Sequence, residues 1–211
     1  KLTIIVTYYN AEEYITGCLE SIKQQRTQDF NLIIVNDGST DQSKKLMDEA
    51  IKDYDKNIRF IDLDENSGHA HARNIALEEV ETPYFMFLDA DDELASYAIT
   101  FYLEKFNNTD GLIAPIHSFT TQRPQFVDLD RVRVEYFNAK ENINSFLRKQ
   151  SACNIIFRTA IVRAHHIRFN ENLNTYVDWS FVLEYMKYVN KFVRIFNFPF
   201  YFRGEVYDPF E

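Results

Sequence analysis

With 211 residues, 45% of them hydrophobic and 16% aromatic, the chain can bury one sizeable core, and a single domain is expected rather than two independent folds. Its 32 acidic and 23 basic residues give a formal net charge of -9, which argues against a nucleic-acid partner. No apolar run reaches the length of a membrane span, and Cys18 and Cys153 are too few and too far apart for a disulfide framework or a zinc site, so reduced, cytoplasmic surroundings are expected.

The chain enters a strand directly from Lys1 with no initiator Met or signal peptide, as expected of a piece cut from a longer protein. Leu2 to Val6 is an apolar, β-branched run that ends in Thr7-Tyr8-Tyr9-Asn10. From about Ala11 to Gln24, apolar residues recur at helical spacing, with Cys18 beside Ile15, Leu19 and Ile22 as a small core residue. A second strand, Leu32 to Val35, ends in Asn36-Asp37-Gly38-Ser39-Thr40-Asp41, and a second helix follows with Met47, Ala50, Ile51 and Tyr54 on one face. Asp41 is placed to cap that helix. A third strand covers Ile58 to Ile61, a third helix runs from near Ala72 to Val80, and a fourth strand spans Tyr84 to Leu88. Strands alternating with helices predict an α/β fold, a mainly parallel sheet flanked by helices, with ligands beyond the carboxyl ends of its strands. After Phe106 the pattern loosens: a strand at Leu112 to Ile116, a polar irregular segment from Thr120 to Glu135, and helical patterns at Lys140 to Lys149 and Asp178 to Val189.

The fourth strand runs straight into Asp89-Ala90-Asp91-Asp92. Carboxylates so close repel one another unless a cation lies between them, and hard ions such as Mg2+ or Mn2+ take oxygen ligands; the alternative is that these acids cap a helix or solvate a turn. Asp37 precedes Gly38 in a turn that lets the backbone approach a ligand closely, where a carboxylate could accept hydrogen bonds from a base or ribose, but Asp-Gly is also ordinary turn chemistry. Arg73 falls in the first turns of the third helix, where helix amides and a guanidinium attract phosphate; from these residues alone an ordinary loop-helix junction with a surface Arg is the preferred reading. His69 and His71, two apart, do not share a helix face and are expected to be solvated or ligand-adjacent. Asp178 opens an amphipathic helix, a preferred place for a capping Asp.

Taken together, these segments resemble glycosyltransferase family 2, the inverting enzymes with the GT-A fold. The resemblance lies in Ile4 to Asn10, in Val35 to Asp41, in the Asn-x-Gly and Ala-Arg-Asn pattern of Asn66 to Asn74, and in the Asp-x-Asp of Asp89 to Asp91. It continues through Asn154 to Arg158 and Ile167 to Glu171 to Val177-Asp178, which stands where the family has a Glu-Asp pair. The resemblance implies one GT-A domain over residues 1–211, with a nucleotide-sugar half to about residue 106 and an acceptor half beyond it. It implies a donor site of Thr7, Tyr9, Asp37, Arg73 and Asp89, with Asp37 reading the base, Arg73 near the diphosphate and Asp89 at the ribose or sharing the metal. Asp91, with Asp89, would hold Mn2+ or Mg2+, and Asp178 would be the general base. The reaction implied is inverting transfer from a UDP-sugar to a hydroxyl of a glycan or polyol polymer of the cell envelope, of teichoic acid type. Further domains of a longer chain, and peripheral association with the cytoplasmic face of the membrane through them, are expected with it.

The chain departs from the family at Val177, at Thr7 in place of a frequent Pro, and at Tyr201 to Tyr207, which lacks the His that often completes the metal site. Val177 and the missing His are the best support for the alternative of a non-catalytic docking domain within a larger polymer-synthesising protein. An Asp-dependent phosphatase also places Asp-x-Asp after an apolar strand, but there the motif sits on an early strand and is followed differently.

Overall fold

The computed structural model describes residues 1–54, 57–105, 109–118, 128–138, 151–196 and 200–204. The first half alternates as the periodicity predicts: β1 (Leu2–Tyr8), α1 (Ile15–Lys23), β2 (Phe30–Asn36), α2 (Ser43–Ile51), β3 (Ile58–Asp62), α3 (His69–Glu78) and β4 (Tyr84–Asp89). There follow β5 (Glu93–Leu94), α4 (Ala98–Lys105), β6 (Gly111–Ile113), β7 (Ile116–Ser118), a 3-10 turn at Leu129–Arg131 and β8 (Val134–Asn138). The last described elements are β9 (Ile155–Arg158), α5 (Thr159–Ala164), α6 (Val177–Met186), β10 (Lys191–Ile195) and β11 (Tyr201–Arg203).

A large sheet has the order β3-β2-β1-β4-β9-β6-β10-β8, and a small one the order β5-β11-β7. The first four strands of the large sheet are parallel, β9 runs antiparallel to both its neighbours, and β10 pairs parallel with β6 and antiparallel with β8. Strands β1 and β4 are buried over nearly their whole length, as central strands covered on both faces must be. Strand order reverses around β1: α1 leads away to β2 on one side, while α3 returns to β4 on the other. The loops leaving β1 and β4 therefore part, and a crevice opens at this switch point. Register sets Thr7 of β1 beside Asp89 of β4, so both reach the crevice together.

Aromatic packing joins the two halves. Phe85 and Phe87 share one face of β4, and Phe85 lies in register with Phe157 of β9, their rings stacked 5.3 Å apart. Phe157 meets Phe181 of α6 edge-on at 5.3 Å and Tyr185 at 4.9 Å, while Phe169 stacks on Phe181 at 4.1 Å and meets Phe87 at 5.2 Å. Helix α6, which carries Asp178, is held against β4 through these rings.

Several expected boundaries move. The strand expected at Leu112 to Ile116 is two strands in different sheets: Ala114 bonds Asn154, and Pro115 has no N–H to continue the ladder. Within the polar segment expected to be irregular up to Glu135, β8 already begins at Val134, an edge strand whose Glu135 and Tyr136 are exposed and hide its pattern. Helix α1 starts at Ile15 because Tyr14 and Ile15 first close a turn on the Ala11 carbonyl. Helix α3 starts at His69, earlier than expected, directly after Gly68 at φ 91°. Asp41 stands one residue before the N-cap Gln42, yet its carboxylate accepts from the Ser43 amide at the mouth of α2. The helical pattern at Lys140 to Lys149 lies outside the described residues. Among the described residues no helix is long and apolar enough to cross a membrane.

Phe157→Ala should cost about 3–5 kcal/mol of stability, because four rings lose their common neighbour. Equilibrium urea unfolding measures this, and a loss below about 1 kcal/mol would mean that these rings do not tie the halves together.

Candidate functional site

The crevice holds about 480 Å³ and is lined by Thr7 to Ala11 and Tyr14 after β1, His69 and Arg73 of α3, Asp89 to Asp91 after β4, and Asp178 of α6. Of the expected site residues, Thr7, Tyr9, Arg73, Asp89, Asp91 and Asp178 meet here, and Asp37 is absent from the lining.

At the floor lies the Arg73 guanidinium, 4% exposed. Its Nη2 donates to Asp89 Oδ1 at 2.7 Å and its Nη1 donates to Asp178 Oδ1. The charged plane packs 5.3 Å from the ring centres of both Phe87 and Phe169. Burial works against the positive charge, but the carboxylates of Asp89 and Asp178 hold Arg73 firmly protonated. Nε is buried without a hydrogen-bond partner among the described residues. The surface-Arg alternative is thereby removed, since both terminal nitrogens face carboxylates from opposite halves of the chain.

Asp89 is braced on its other oxygen by Cys153, whose thiol donates to Oδ2 at 3.0 Å. Burial and the charge of Asp89 push the Cys153 thiol up, so it stays protonated and can donate. Burial would raise Asp89 as well, yet Arg73 and this thiol hold it below the ordinary carboxylate range. Its neighbours go the other way. Burial and the Asp89 charge raise Asp91, and Asp92, 1% exposed, is pushed up to about 7 mainly by burial, with Asp89 and Asp91 adding to it. Asp92 accepts from the Tyr201 hydroxyl at 2.6 Å and the Gly204 amide at 2.8 Å. Asp89, Asp91 and Asp92 can each offer an oxygen within 4.8 Å of the others, which fits a hard divalent cation better than a bare helix cap. Of the three, Asp91 faces the crevice and is committed to neither Arg73 nor Tyr201.

Asp178 is not a cap. Tyr176, in the left-handed region at φ 59°, occupies the N-cap position of α6, and Asp178 sits in the first turn of the helix. Its carboxylate accepts from Arg73 on one oxygen, and on the other from the Ala152 amide at 3.0 Å and the Ser151 hydroxyl at 3.2 Å. Val177, where a second acid was expected from the family pattern, is 5% exposed and packs into the core.

Asp37 has a definite structural task. Its two oxygens accept from the Ser67 and Gly68 amides, both at 2.9 Å, and so fasten the loop that leads into α3. Gly38 follows at φ 66°, and a Cβ there would lie 2.4 Å from the Glu65 carbonyl carbon, so the Asp-Gly turn is required for that fastening. His69 lines the crevice, and burial followed by the Arg73 charge lowers its pKa, keeping the ring neutral at pH 7. His71 instead contacts Glu171 at 3.1 Å.

The sequence reading missed Cys153, Ser151, Tyr14 and Tyr201. Each acts through a fold contact that spacing does not encode, although Tyr14, at helical spacing before Cys18, could have been placed at the start of α1.

The sequence profile described as Glycosyl transferase family 2 matches residues 3–168. An uncharacterized glycosyltransferase of Haemophilus influenzae is 29% identical over 192 residues, 90% of this chain and 73% of the relative. The poly(ribitol-phosphate) beta-N-acetylglucosaminyltransferase TarS of Staphylococcus aureus is 28% identical over 199 residues, 87% of this chain but 32% of the relative. The crystal structure of S. aureus TarS 1-349 superposes with a TM-score of 0.79 at 25% identity, covering 97% of this chain and 60% of that one. This chain thus spans about a third of the whole TarS relative. A mainly parallel sheet with its crevice at the β1/β4 switch point, an acid turn after β4 and a profile match over most of the length place the chain in glycosyl transferase family 2.

Proposed function

We propose that this domain transfers a sugar from a UDP-sugar, with inversion, to a hydroxyl of a cell-envelope polyol or glycan polymer. The observation that carries this reading is the pair of carboxylates bridged by Arg73: Asp89, beside the acid turn, and Asp178, across the crevice. A group-transfer site needs a place for the leaving diphosphate and a base for the incoming hydroxyl, and these two acids mark its two sides. A teichoic acid type of acceptor is supported by the S. aureus relative, a poly(ribitol-phosphate) beta-N-acetylglucosaminyltransferase. UDP is the family's usual carrier, and the two free, buried cysteines are consistent with a cytoplasmic setting. Residues 1–211 are read as one such domain within a longer chain.

Mn2+ or Mg2+ would be held by Asp91 with Asp89, and when bound it would supply positive charge beside the diphosphate as the sugar bond breaks. Thr7 and Tyr9 line the donor side of the crevice. Asp37 retains unused lone pairs for a base N–H while it holds the loop before α3. Arg73 fixes Asp89 in the orientation the donor meets. Asp178, held by the Ser151 and Ala152 donors, keeps one lone pair to take the proton of the attacking hydroxyl. Attack from that side expels the nucleotide from the other face in a single displacement, with no covalent enzyme intermediate. A base turned into the crevice, rather than capping its helix, favours turnover over a docking role.

Transfer from a panel of UDP-sugars to poly(ribitol-phosphate), run with Mn2+, tests the reading. Asp178→Asn should lower kcat about 10²–10⁴-fold while UDP binding, followed by calorimetry, stays within about twofold. Loss of UDP binding from the unsubstituted chain, or an Asp178→Asn variant that transfers at the full rate, would remove the assignment.

The acid turn also makes stability depend on pH. Asp92 is raised from 3.8 to about 7, so in that interval the folded state holds a proton that the unfolded chain releases. Stability contributed by this group is therefore present at low pH and is lost as pH rises through about 7. In EDTA, the urea midpoint of Asp92→Asn should fall less between pH 4 and pH 7 than that of the unsubstituted chain. Parallel profiles for the two proteins would contradict the raised value.

A further inference from the structure

We propose that Tyr201 is a positioning residue for the acid turn: its hydroxyl fixes Asp89 and Asp92 so that Asp91 and Asp89 present a cation site. The inference rests on the cation reading of the acid turn given above.

The argument begins in the core. Strand β11 pairs antiparallel with β5, immediately after the acid turn, and parallel with β7. The residue before it, Phe200, is fully buried, its ring 4.8 Å from Phe101, 5.4 Å from Tyr97 and 5.4 Å from Tyr102, and its carbonyl accepts from the Ala95 amide at 3.0 Å. A strand anchored in this way has little freedom to slide, and its alternation sends Phe200 to one face and Tyr201 to the other.

Tyr201 is likewise fully buried, and its hydroxyl meets the acid turn twice. It accepts from the Asp89 amide at 3.3 Å and donates to Asp92 Oδ2 at 2.6 Å. The turn closes on itself through the Asp92 amide and the Asp89 carbonyl at 3.0 Å, and Gly204 at the end of β11 donates to the other Asp92 oxygen. One hydroxyl thus grips the first and last residues of a four-residue turn, and Asp91 is carried between them. Removing it takes the donor from one oxygen of the buried Asp92 carboxylate and the hydroxyl from the Asp89 amide, and the turn must reorganise to recover them. The segment from Tyr201 to Tyr207 lacks the metal-ligating His that the family often has there. Its described part instead contributes a hydroxyl and an amide that hold the acids, the role of an outer hydrogen-bond partner at a metal site.

Tyr201→Phe removes only the hydroxyl and keeps the ring. Tyr185→Phe is the matched control, because Tyr185 is also fully buried and its hydroxyl bonds the Arg158 amide and the Asp110 carbonyl, away from the acid turn. The measurement is the Mn2+ concentration that half-saturates UDP binding by calorimetry, with folding of each variant checked by circular dichroism. Tyr201→Phe should raise that concentration about 10-fold or more, while Tyr185→Phe leaves it within about twofold. Gly204→Pro, which deletes the other bond to Asp92 from outside the core, should shift it in the same direction and decides the question if Tyr201→Phe does not fold. A Tyr201→Phe or, in that case, Gly204→Pro protein that matches Tyr185→Phe overturns the positioning role and leaves the cation reading standing. Absence of any Mn2+-dependent UDP binding in the unsubstituted chain overturns both.

Discussion

The buried guanidinium of Arg73 is the constraint on which the crevice depends. Placing a full positive charge at 4% exposure is costly unless its hydrogen-bonding groups find anions, and Asp89 and Asp178 provide them from opposite sides. Neither carboxylate can leave without stranding the cation. Removing Arg73 would in turn leave two acids facing each other across a partly dry cleft. The pair of bridges therefore fixes the separation of Asp89 from Asp178, because both are measured from a single planar group with rigid geometry.

That group is held in place by the aromatic core. Phe87 and Phe169 flank the guanidinium, Phe169 stacks on Phe181, and Phe181 meets Phe157, the cross-strand partner of Phe85. The path from the hydrophobic effect to the site is short: β4 and β9 pair, their rings bury α6 against the sheet, and Asp178 arrives opposite Asp89. These rings also exclude water beneath Arg73, which strengthens its attraction to the carboxylates. Cys153 acts within the same arrangement as a small donor that reaches Asp89 from β9's side of the crevice without adding charge.

Legibility in the sequence followed the length of the elements. Strands β1, β2 and β4 carry apolar runs of strand length, and the helices between them carry one buried face each, so the order of the parallel half and the location of the acid turn could be read in advance. Short elements leave no such pattern. The two residues of β5 and three of β11 show no alternation that sets them apart from a loop, so the small sheet that clamps Asp92 was not foreseen. Tyr201 was hidden for another reason: between Phe200 and Phe202 it reads as one more apolar residue, and only the fold turns its hydroxyl toward the acids. Asp37 and Asp178 each had two readings that the residues alone left open. For Asp37 the structure shows the turn task, fastening the loop before α3. For Asp178 it sets the capping reading aside, since Tyr176 takes the N-cap position and Asp178 lines the crevice.

The charge balance of the crevice links its parts. Four carboxylates, Asp89, Asp91, Asp92 and Asp178, are gathered around one buried guanidinium, and two of them take its two terminal nitrogens. Asp91 and Asp92 resist ionisation first because they are buried and then because charged acids lie beside them, so both rise, while Arg73 holds Asp89 down. A diphosphate entering such a site would add negative charge to a surplus of it. On the proposed reading, a divalent cation accompanies the nucleotide and offsets that surplus. The same surplus gives the Tyr201 and Gly204 bonds to Asp92 their importance: they favour the charged form of a buried acid that is drawn toward protonation, and they close the turn that carries Asp91. Donor capture, cation binding and the seating of β11 are in this sense one electrostatic problem with a shared solution.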